Sequence, residues 1–260
     1  MKKYSLILLL FAGMANAQDV FIPDDSFRQK LIGLGIDTNF DQQIQQSEAL
    51  TLTTLDLMSS GISNLEGIEA FTNLQTLNCS YNTIASINLN TLSNLTELNC
   101  ENNDLTSIDL SALTNLVTFN CRHNELLSLT ITNANLQTLI CESNFLQTLN
   151  IAQATSLQTL YCSYNNIMGL NLTGLNNLQF VECYDNLLTS LDVSGLQNLV
   201  SLYVGFNQLT TMNIDGLTNL RSLDCQSNQI ASLSMNGITN LYILHCEFNQ
   251  LTTLDLSGNT

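Results

Sequence analysis

Residues 95–115 read LTELNCENNDLTSIDLSALTN, and this stretch returns with few changes from residue 52 to the end of the chain. Its skeleton is Leu-x-x-Leu-x-Cys-x-x-Asn-x-Leu, and the asparagine recurs every 21 residues, with one step of 20. The recurring asparagines are Asn82, Asn103, Asn124, Asn144, Asn165, Asn186, Asn207, Asn228 and Asn249. A fixed short period indicates a solenoid, in which each unit buries its apolar face against its neighbours.

The Leu-x-Cys segment of each repeat predicts a short strand, because apolar and polar residues alternate there. In the quoted repeat, Leu98 and Cys100 should point inward, and Asn99 and Glu101 outward. Strands of successive repeats then stack into one parallel sheet on the concave face. The return segments have no helical stripe, so we expect turns and short 3₁₀ pieces on the convex side. The expected fold is an α/β solenoid of about ten repeats over residues 52–260, shaped as a horseshoe or arc.

This repeat resembles the bacterial internalin-type leucine-rich repeats, notably the subgroup in which cysteine replaces one strand leucine. Residues 21–74, with IPD at 22–24 and GIEAF at 67–71, also resemble the N-terminal part of secreted surface repeat proteins from Bacteroidetes-type bacteria. The resemblance implies an exposed protein that recognises protein ligands, as an adhesin or as an adaptor or scaffold. Its implied ligands differ between members of the family.

Residues 1–17 predict a cleavable secretory signal peptide. Lys2 and Lys3 precede an apolar run over residues 4–14, and residues 15–17 form an Ala-x-Ala cleavage signal. The run is too short to span a bilayer, and no later stretch reaches that length. We therefore expect a secreted, periplasmic or cell-surface product without membrane insertion.

The charge balance is one-sided, with six Lys+Arg against 22 Asp+Glu and a formal net charge of −16. Such a field repels phosphate backbones and anionic lipid, which argues against a nucleic-acid or membrane-surface binder. It suits a basic protein partner, although the same acidity could serve solubility alone. We expect a monomer that binds a protein ligand; the alternatives are a glycan-binding module and a structural spacer of a longer surface protein.

Residues 18–51 are expected to form an N-terminal cap over the apolar end of the first repeat. The stretch PDDS at 23–26 predicts a turn and helix start, after which Phe27, Leu31 and Leu34 fall on one helical face. At the other end no polar cap follows the last repeat. We expect either a truncated fragment or a missing domain that covers this end.

The recurring asparagine and cysteine predict interior files of side chains. An asparagine amide donates and accepts at once, so it can satisfy backbone groups buried at the bend of each coil. Cysteine fills the second inward strand position in eight repeats, and Leu57 and Val204 fill it in two others. This exchange favours a ladder of buried, reduced thiols. Disulfides are the alternative for a secreted chain, and a zinc site lacks the usual Cys-x₂₋₄-Cys clusters.

One segment of the cap matches a calcium-binding loop. Residues 37–48, DTNFDQQIQQSE, place oxygen donors as in the twelve-residue EF-hand loop, with Gln42 where a glycine is usual. The candidate calcium ligands are Asp37, Asn39, Asp41, the Gln43 carbonyl and Glu48. The alternative is a polar capping loop built from Asx turns. No other cofactor is expected.

The outward strand positions predict a partner-binding patch in the middle to C-terminal repeats. It comprises Glu142, Tyr161, Glu182, Tyr184, Tyr203 and Asp224. Tyrosines are favoured interface anchors, although strand surfaces accept aromatic residues in any case. Sugars could stack on the same tyrosines. We expect no enzyme, because catalytic motifs are lacking and His123 and His245 lie six repeats apart, roughly 29 Å along the sheet.

Overall fold

The structure, a computed structural model, describes residues 18–258. Short strands, one per coil, build a ten-stranded parallel sheet in the order β1-β2-β3-β4-β6-β8-β9-β10-β11-β12, while β5 and β7 pair separately. The strands are β1 Thr54–Asp56, β2 Thr76–Asn78, β3 Glu97–Asn99, β4 Thr118–Asn120, β5 Ser128–Thr130, β6 Thr138–Ile140, β7 Thr148–Asn150, β8 Thr159–Tyr161, β9 Phe180–Glu182, β10 Ser201–Tyr203, β11 Ser222–Asp224 and β12 Ile243–His245. The predicted solenoid of parallel coils is confirmed.

The sheet is in register from coil to coil, so equivalent residues form columns. Leu77 lies opposite Leu98, and Leu98 lies opposite Phe119. These central strand residues are buried, as are the leucines that begin the repeats from Leu74 to Leu220, and together they form one continuous core along the solenoid. Leu52 and Leu241, which begin the first and last repeats, are partly buried against it. Because each fully buried leucine contributes about 1.5–3 kcal/mol, this core dominates the stability of the coils.

The predicted asparagine file is confirmed in atomic detail. Leu146 of the preceding coil donates its N–H to Asn165 Oδ1 at 3.0 Å, and Asn165 Nδ2 lies 3.0 Å from the Cys141 carbonyl oxygen and 3.1 Å from that of Cys162. Each amide thus joins its own coil to the previous one. The residue before this position has a φ between 51° and 57° in all ten repeats, although none of these residues is glycine; the position itself is asparagine in nine repeats and Ser60 in the first.

The thiols occupy the interior as predicted. All eight cysteines are free, and seven are buried, while Cys246 in the last coil is half-buried. Burial raises the pKa of the Cys183 thiol to about 12. The nucleophilic thiolate is therefore strongly disfavoured, and the file packs as small apolar side chains.

Within residues 18–258, the convex side contains turns and one 3₁₀-helix, Ile68–Ala70, as expected. The small β5–β7 sheet in the return segments was not predicted. It flanks the shortened 20-residue repeat, where Asn133 takes the buried position that Leu113 holds one coil earlier. Asn133 Nδ2 donates to the Leu113 carbonyl at 2.6 Å, so an amide replaces an aliphatic side chain where the coil is one residue shorter.

A second file of asparagines runs along the exposed return segments and was also missed. Each Nδ2 donates to a carbonyl of the preceding coil, for example Asn94 to Thr72 at 2.9 Å and Asn115 to Ser93 at 3.0 Å. These side chains lie directly before the leucine that opens a repeat. They link successive coils on the side of the solenoid that has almost no strand hydrogen bonds.

The N-terminal region contains helices α1 Asp25–Gly33 and α2 Gln46–Ala49. Asp24 caps α1 by accepting the Phe27 N–H at 2.9 Å. Phe27 and Leu31 are buried, but Leu34 is 49% exposed, so the prediction for Leu34 was wrong. The helix ends at Gly33, and Leu34 then turns away from the buried face. The predicted signal peptide, residues 1–17, lies outside the described residues. None of the helices between residues 18 and 258 has the length and hydropathy needed to cross a bilayer.

Candidate functional site

Strand register brings the central part of the predicted patch together. Tyr161 on β8 lies opposite Glu182 on β9, and Glu182 lies opposite Tyr203 on β10. We call these three residues the tyrosine row. Asp224 on β11 continues the row, next to Tyr203. Because all these strands are parallel and in register, the side chains project from the concave face side by side, about 4.8 Å apart along the sheet.

Two of the three carboxylates in the patch have a basic side chain as a neighbour. Arg122 Nε lies 3.5 Å from Glu142 Oε2, and His245 Nδ1 lies 3.6 Å from Asp224 Oδ2. Asp224 is buried and also accepts the side-chain N–H of Gln226 at 2.9 Å. Glu182 forms neither an ion pair nor a side-chain hydrogen bond with any residue between 18 and 258. It is therefore the one carboxylate of the patch with no Arg, Lys or His partner in the described chain.

The electrostatics of the tyrosine row disfavour additional negative charge. Burial raises the pKa of Glu182, and the nearby Glu142 charge raises it further. Burial also raises the pKa of Tyr161, and the charges of Glu182 and Glu142 raise it further. Both effects have one physical cause, which is a set of acidic groups partly removed from water. A cation placed at the row would relieve this penalty.

Tyr184 lies beside the row because Gly205 leaves space for it. A Cβ atom at Gly205 would come within 2.9 Å of Tyr184 Cε2 and within 2.9 Å of Asp224 Oδ1. The Tyr184 ring packs against Phe206, with ring centroids 4.8 Å apart, and against Tyr164 at 6.0 Å. We call Tyr164, Tyr184 and Phe206 the aromatic edge. Tilted rings at such distances attract one another and hold each other in place.

The sequence patterns did not single out Tyr164 and Phe206. Both occupy the left-handed position before the file asparagine, with φ of 56° and 53°, and are 50% and 44% exposed. The signal that could have found them is the position itself. Because the same turn recurs in every coil, the residue before each asparagine must project from the rim of the sheet, and here it is aromatic.

The predicted calcium loop has one feature of a calcium-binding backbone. Gln42 adopts φ of 68°, the left-handed conformation that glycine usually supplies at the sixth position. The buried Asp37 accepts the N–H groups of Asp41 at 3.2 Å and Gln42 at 3.0 Å. The bend of the loop therefore forms around the first predicted ligand, without the glycine.

The remaining predicted calcium ligands are engaged with one another and with the backbone. Glu48 accepts the Thr38 N–H at 2.6 Å and the Gln45 N–H at 3.0 Å. Asp41 accepts the Gln43 N–H at 2.9 Å and an N–H of the Asn39 amide at 2.9 Å. Over residues 18–258, no three His, Cys, Asp or Glu side chains are grouped so as to hold a metal ion. Calcium would have to replace the N–H donors that now contact Glu48.

Comparisons with known proteins agree with this architecture. The Leucine Rich Repeat family model matches residues 73–95, 94–116 and 156–178. Internalin J of Listeria monocytogenes is 32% identical over 81 residues, which is 31% of this chain and 9% of Internalin J. The chain thus spans a small part of the length of that relative.

Solved structures extend the likeness over most of the chain. The functional domain of InlJ from Listeria monocytogenes, which includes a cysteine ladder, is 28% identical, with a TM-score of 0.55, over 94% of this chain and 64% of that one. The internalin InlF of the same species is 26% identical with a TM-score of 0.71, over 92% of this chain and 79% of that one. A leucine-rich repeat protein of Leptospira interrogans is 26% identical with a TM-score of 0.74, over 82% and 59%. With its cysteine-bearing coils of about 21 residues, the chain is an internalin-like leucine-rich repeat protein.

Proposed function

We propose that this chain is a secreted or cell-surface protein that binds a protein partner through its concave face, as an adhesin or adaptor. The observation that carries the proposal is the in-register tyrosine row, with Tyr184 lying over Gly205 beside it. Tyrosine rings provide large, rigid contact areas with little loss of side-chain freedom, and they are enriched in protein interfaces.

The surrounding surface supports a protein ligand more than a polyanion. The chain carries 22 acidic residues against six basic ones, and Arg122 and His245 on the concave face already lie beside carboxylates. A repeat solenoid also presents its concave sheet as one extended binding surface. The proposed secretion rests on the composition of residues 1–17.

The test compares two matched double variants of the same sheet. The protein captured by the wild-type chain from an extracellular protein extract is identified and purified, and its affinity is measured by interferometry. Tyr184→Ala with Tyr203→Ala is expected to lower the affinity by at least about 100-fold, since two interface anchors are removed. Asn78→Ala with Asn120→Ala, on the other half of the sheet, should change it less than about twofold. Unchanged affinity in the tyrosine variant, with an unaltered circular dichroism spectrum, would move the binding site elsewhere.

A glycan is the second candidate ligand, and the aromatic edge favours it. Three rings that pack in a file, each from a successive coil, could stack against successive sugar faces. A glycan array separates the two ligands: binding that is lost in Phe206→Ala but kept in Tyr203→Ala would favour the glycan. If neither a protein nor a glycan is bound, the spacer hypothesis is favoured.

We also propose that residues 37–48 bind calcium weakly and in a structural role. The left-handed backbone at Gln42 and the bend around Asp37 support this proposal. Calcium at about 5 mM should raise the melting temperature by a few degrees if the dissociation constant is near 1 mM. The rise should vanish in Asp41→Ala and persist in Asp109→Ala, an exposed acid outside the loop. An equal rise with magnesium, or no rise at all, would leave only the capping loop.

A further inference from the structure

We infer that the tyrosine row receives a cationic side chain of the partner, with arginine preferred over lysine. The inference deepens the proposed function, on which it rests, because it specifies the chemistry recognised at the same surface. Glu182 has no ion-pair partner within residues 18–258, two phenol rings flank it, and Arg122 and His245 on the concave face lie beside other carboxylates.

Glu182 differs from the other two carboxylates of the patch in its lack of a partner. Glu142 lies beside Arg122, and Asp224 lies beside His245 and accepts hydrogen bonds from Gln226. Glu182 is also half-buried, yet within residues 18–258 its carboxylate has neither an ion pair nor a hydrogen-bond donor. A carboxylate that is partly removed from water and has no partner is an unsatisfied charge. A cation from outside would satisfy it.

A tyrosine flanks Glu182 on either side. Register places Tyr161 and Tyr203 on the two neighbouring strands, so their Cα atoms lie roughly 10 Å apart with the carboxylate between them. A cation held there meets a carboxylate at its base and an aromatic ring on each side. Cations are attracted to the faces of tyrosine rings, more strongly where water is excluded. A guanidinium is planar, stacks on rings and bonds a carboxylate through two N–H groups, which explains the preference for arginine.

Between residues 18 and 258, no Lys, Arg or His side chain forms an ion pair with Glu182. Arg122 and His245, on the concave face, already lie beside carboxylates. Arg28 and Lys30 belong to α1, and Arg221 precedes β11, outside the tyrosine row. Burial and the charge of Glu142 raise the pKa of Glu182, in agreement with a site that lacks a positive charge. The counter-charge therefore comes from the ligand.

The experiment titrates small probes into the chain labelled with ¹³C-tyrosine. The probe is acetyl-Gly-Arg-Gly-amide, with the lysine analogue as a second cation and the citrulline analogue as a neutral side chain of the same shape. The ring signals are assigned with single Tyr→Phe variants. We expect the arginine peptide to shift the Tyr161 and Tyr203 signals with millimolar affinity, the lysine peptide to bind more weakly, and the citrulline peptide to cause no shift.

Two charge-matched variants decide whether Glu182 is responsible. Glu182→Gln should lower the affinity for the arginine peptide at least about fivefold, since an ion-paired hydrogen bond is lost. Asp56→Asn removes a carboxylate charge from the equivalent strand position on β1, where no tyrosine lies on the neighbouring strand. It should change the affinity less than about twofold. Melting curves of both variants confirm that the coils remain folded.

The inference is overturned if citrulline and arginine peptides shift the two tyrosines equally, if Glu182→Gln binds as the wild type does, or if about 20 mM arginine peptide causes no shift. These outcomes are independent of the partner assay. If partner binding is lost in the Tyr184→Ala, Tyr203→Ala variant but unchanged in Glu182→Gln, the proposed function stands and the cation site is rejected. If the affinity for the partner is unchanged in the tyrosine variant, the proposed function itself is rejected.

Discussion

The two halves of the concave sheet share one backbone and differ in what their outward side chains bond to. In the N-terminal half, Asn78 Nδ2 donates to Asp56 Oδ1 at 3.0 Å, and Asn120 Nδ2 donates to Glu101 Oε2 at 3.1 Å. The Oδ1 atoms of these asparagines accept the backbone N–H two residues later. In the C-terminal half, Asp224 still accepts the Gln226 N–H in this way. The same strand position in the three preceding coils carries Tyr161, Glu182 and Tyr203, whose side chains form no such network among residues 18–258.

This difference shows how one repeat scaffold supports both an inert and a binding surface. Where outward side chains satisfy one another, a partner must break hydrogen bonds to gain new ones, and the net gain is small. Where a carboxylate and phenol rings remain without internal partners, a ligand can add contacts without replacing any. The interior beneath both halves is the same file of leucines, thiols and asparagines, so stability and binding are largely separable.

The largest expected effect tests that shared interior. Asn103→Ala in the N-terminal half and Asn165→Ala in the C-terminal half should each lower the free energy of unfolding by about 1–3 kcal/mol. Each substitution leaves the same buried backbone groups without a partner. Asn99→Ala, at an outward strand position, should cost less than about 0.5 kcal/mol. Urea denaturation followed by circular dichroism measures all three variants.

Equal midpoints for Asn165→Ala and Asn99→Ala would contradict the assigned role of the asparagine file. If Asn103→Ala and Asn165→Ala lower the free energy of unfolding by very different amounts, the two halves do not have the same interior. The two halves of the sheet would then differ in stability as well as in surface chemistry.

A smaller effect is expected where the C-terminal half has a special backbone position. Gly205→Ala places a methyl group 2.9 Å from both Tyr184 and Asp224, so it should cost about 1–2 kcal/mol and displace the aromatic edge. Gly169→Ala is the control, because a Cβ there meets no atom within 4 Å. The near-ultraviolet circular dichroism of tyrosine should change for Gly205→Ala only. An unaltered spectrum and melting temperature would mean that Tyr184 does not depend on Gly205 for its position.

The sequence predicts the repeating part of the molecule and misses what occurs at single positions. A constant period determines which residues face the core, and so Leu98, Cys100 and the tyrosine row were placed correctly. The period does not say which side chains lean across a glycine, and Tyr184 was assigned to the patch without its support from Gly205. Tyr164 and Phe206 were missed because they sit in a left-handed turn that local propensities disfavour for aromatic residues.

Two other misses have local causes. The β5–β7 sheet forms where the repeat is one residue shorter and Asn133 replaces a core leucine, so the return segments of neighbouring coils pair differently there. Leu34 was placed on the buried face of α1 because its spacing fits a helix. The helix ends one residue earlier, at Gly33, and the left-handed Gly35 then redirects the chain.

The smallest expected effect concerns Glu182 and links stability to binding. Burial, with the charge of Glu142, raises its pKa in the folded chain above the ordinary value. The folded state therefore holds the proton of Glu182 more tightly than the unfolded state does. The contribution of this proton to the free energy of unfolding is fully present below the unfolded pKa and is lost as the pH rises through the folded pKa. Glu182→Gln, which stays neutral, should raise the melting temperature at pH 7 by roughly 1–2 °C, discounted for partial exposure.

The opposite sign is expected for a carboxylate whose charge the fold favours. Hydrogen bonds from the side chain and backbone of Ser194 lower the pKa of Asp192, so Asp192→Asn should not stabilise the chain at pH 7. Melting curves from pH 3 to pH 7 compare the two variants, and the gain from Glu182→Gln should disappear toward pH 3 as the wild-type carboxyl becomes protonated. A gain in melting temperature that is independent of pH would mean that the charge of Glu182 is already compensated. The outward side chains of the C-terminal half would then have internal partners, as those of the N-terminal half do.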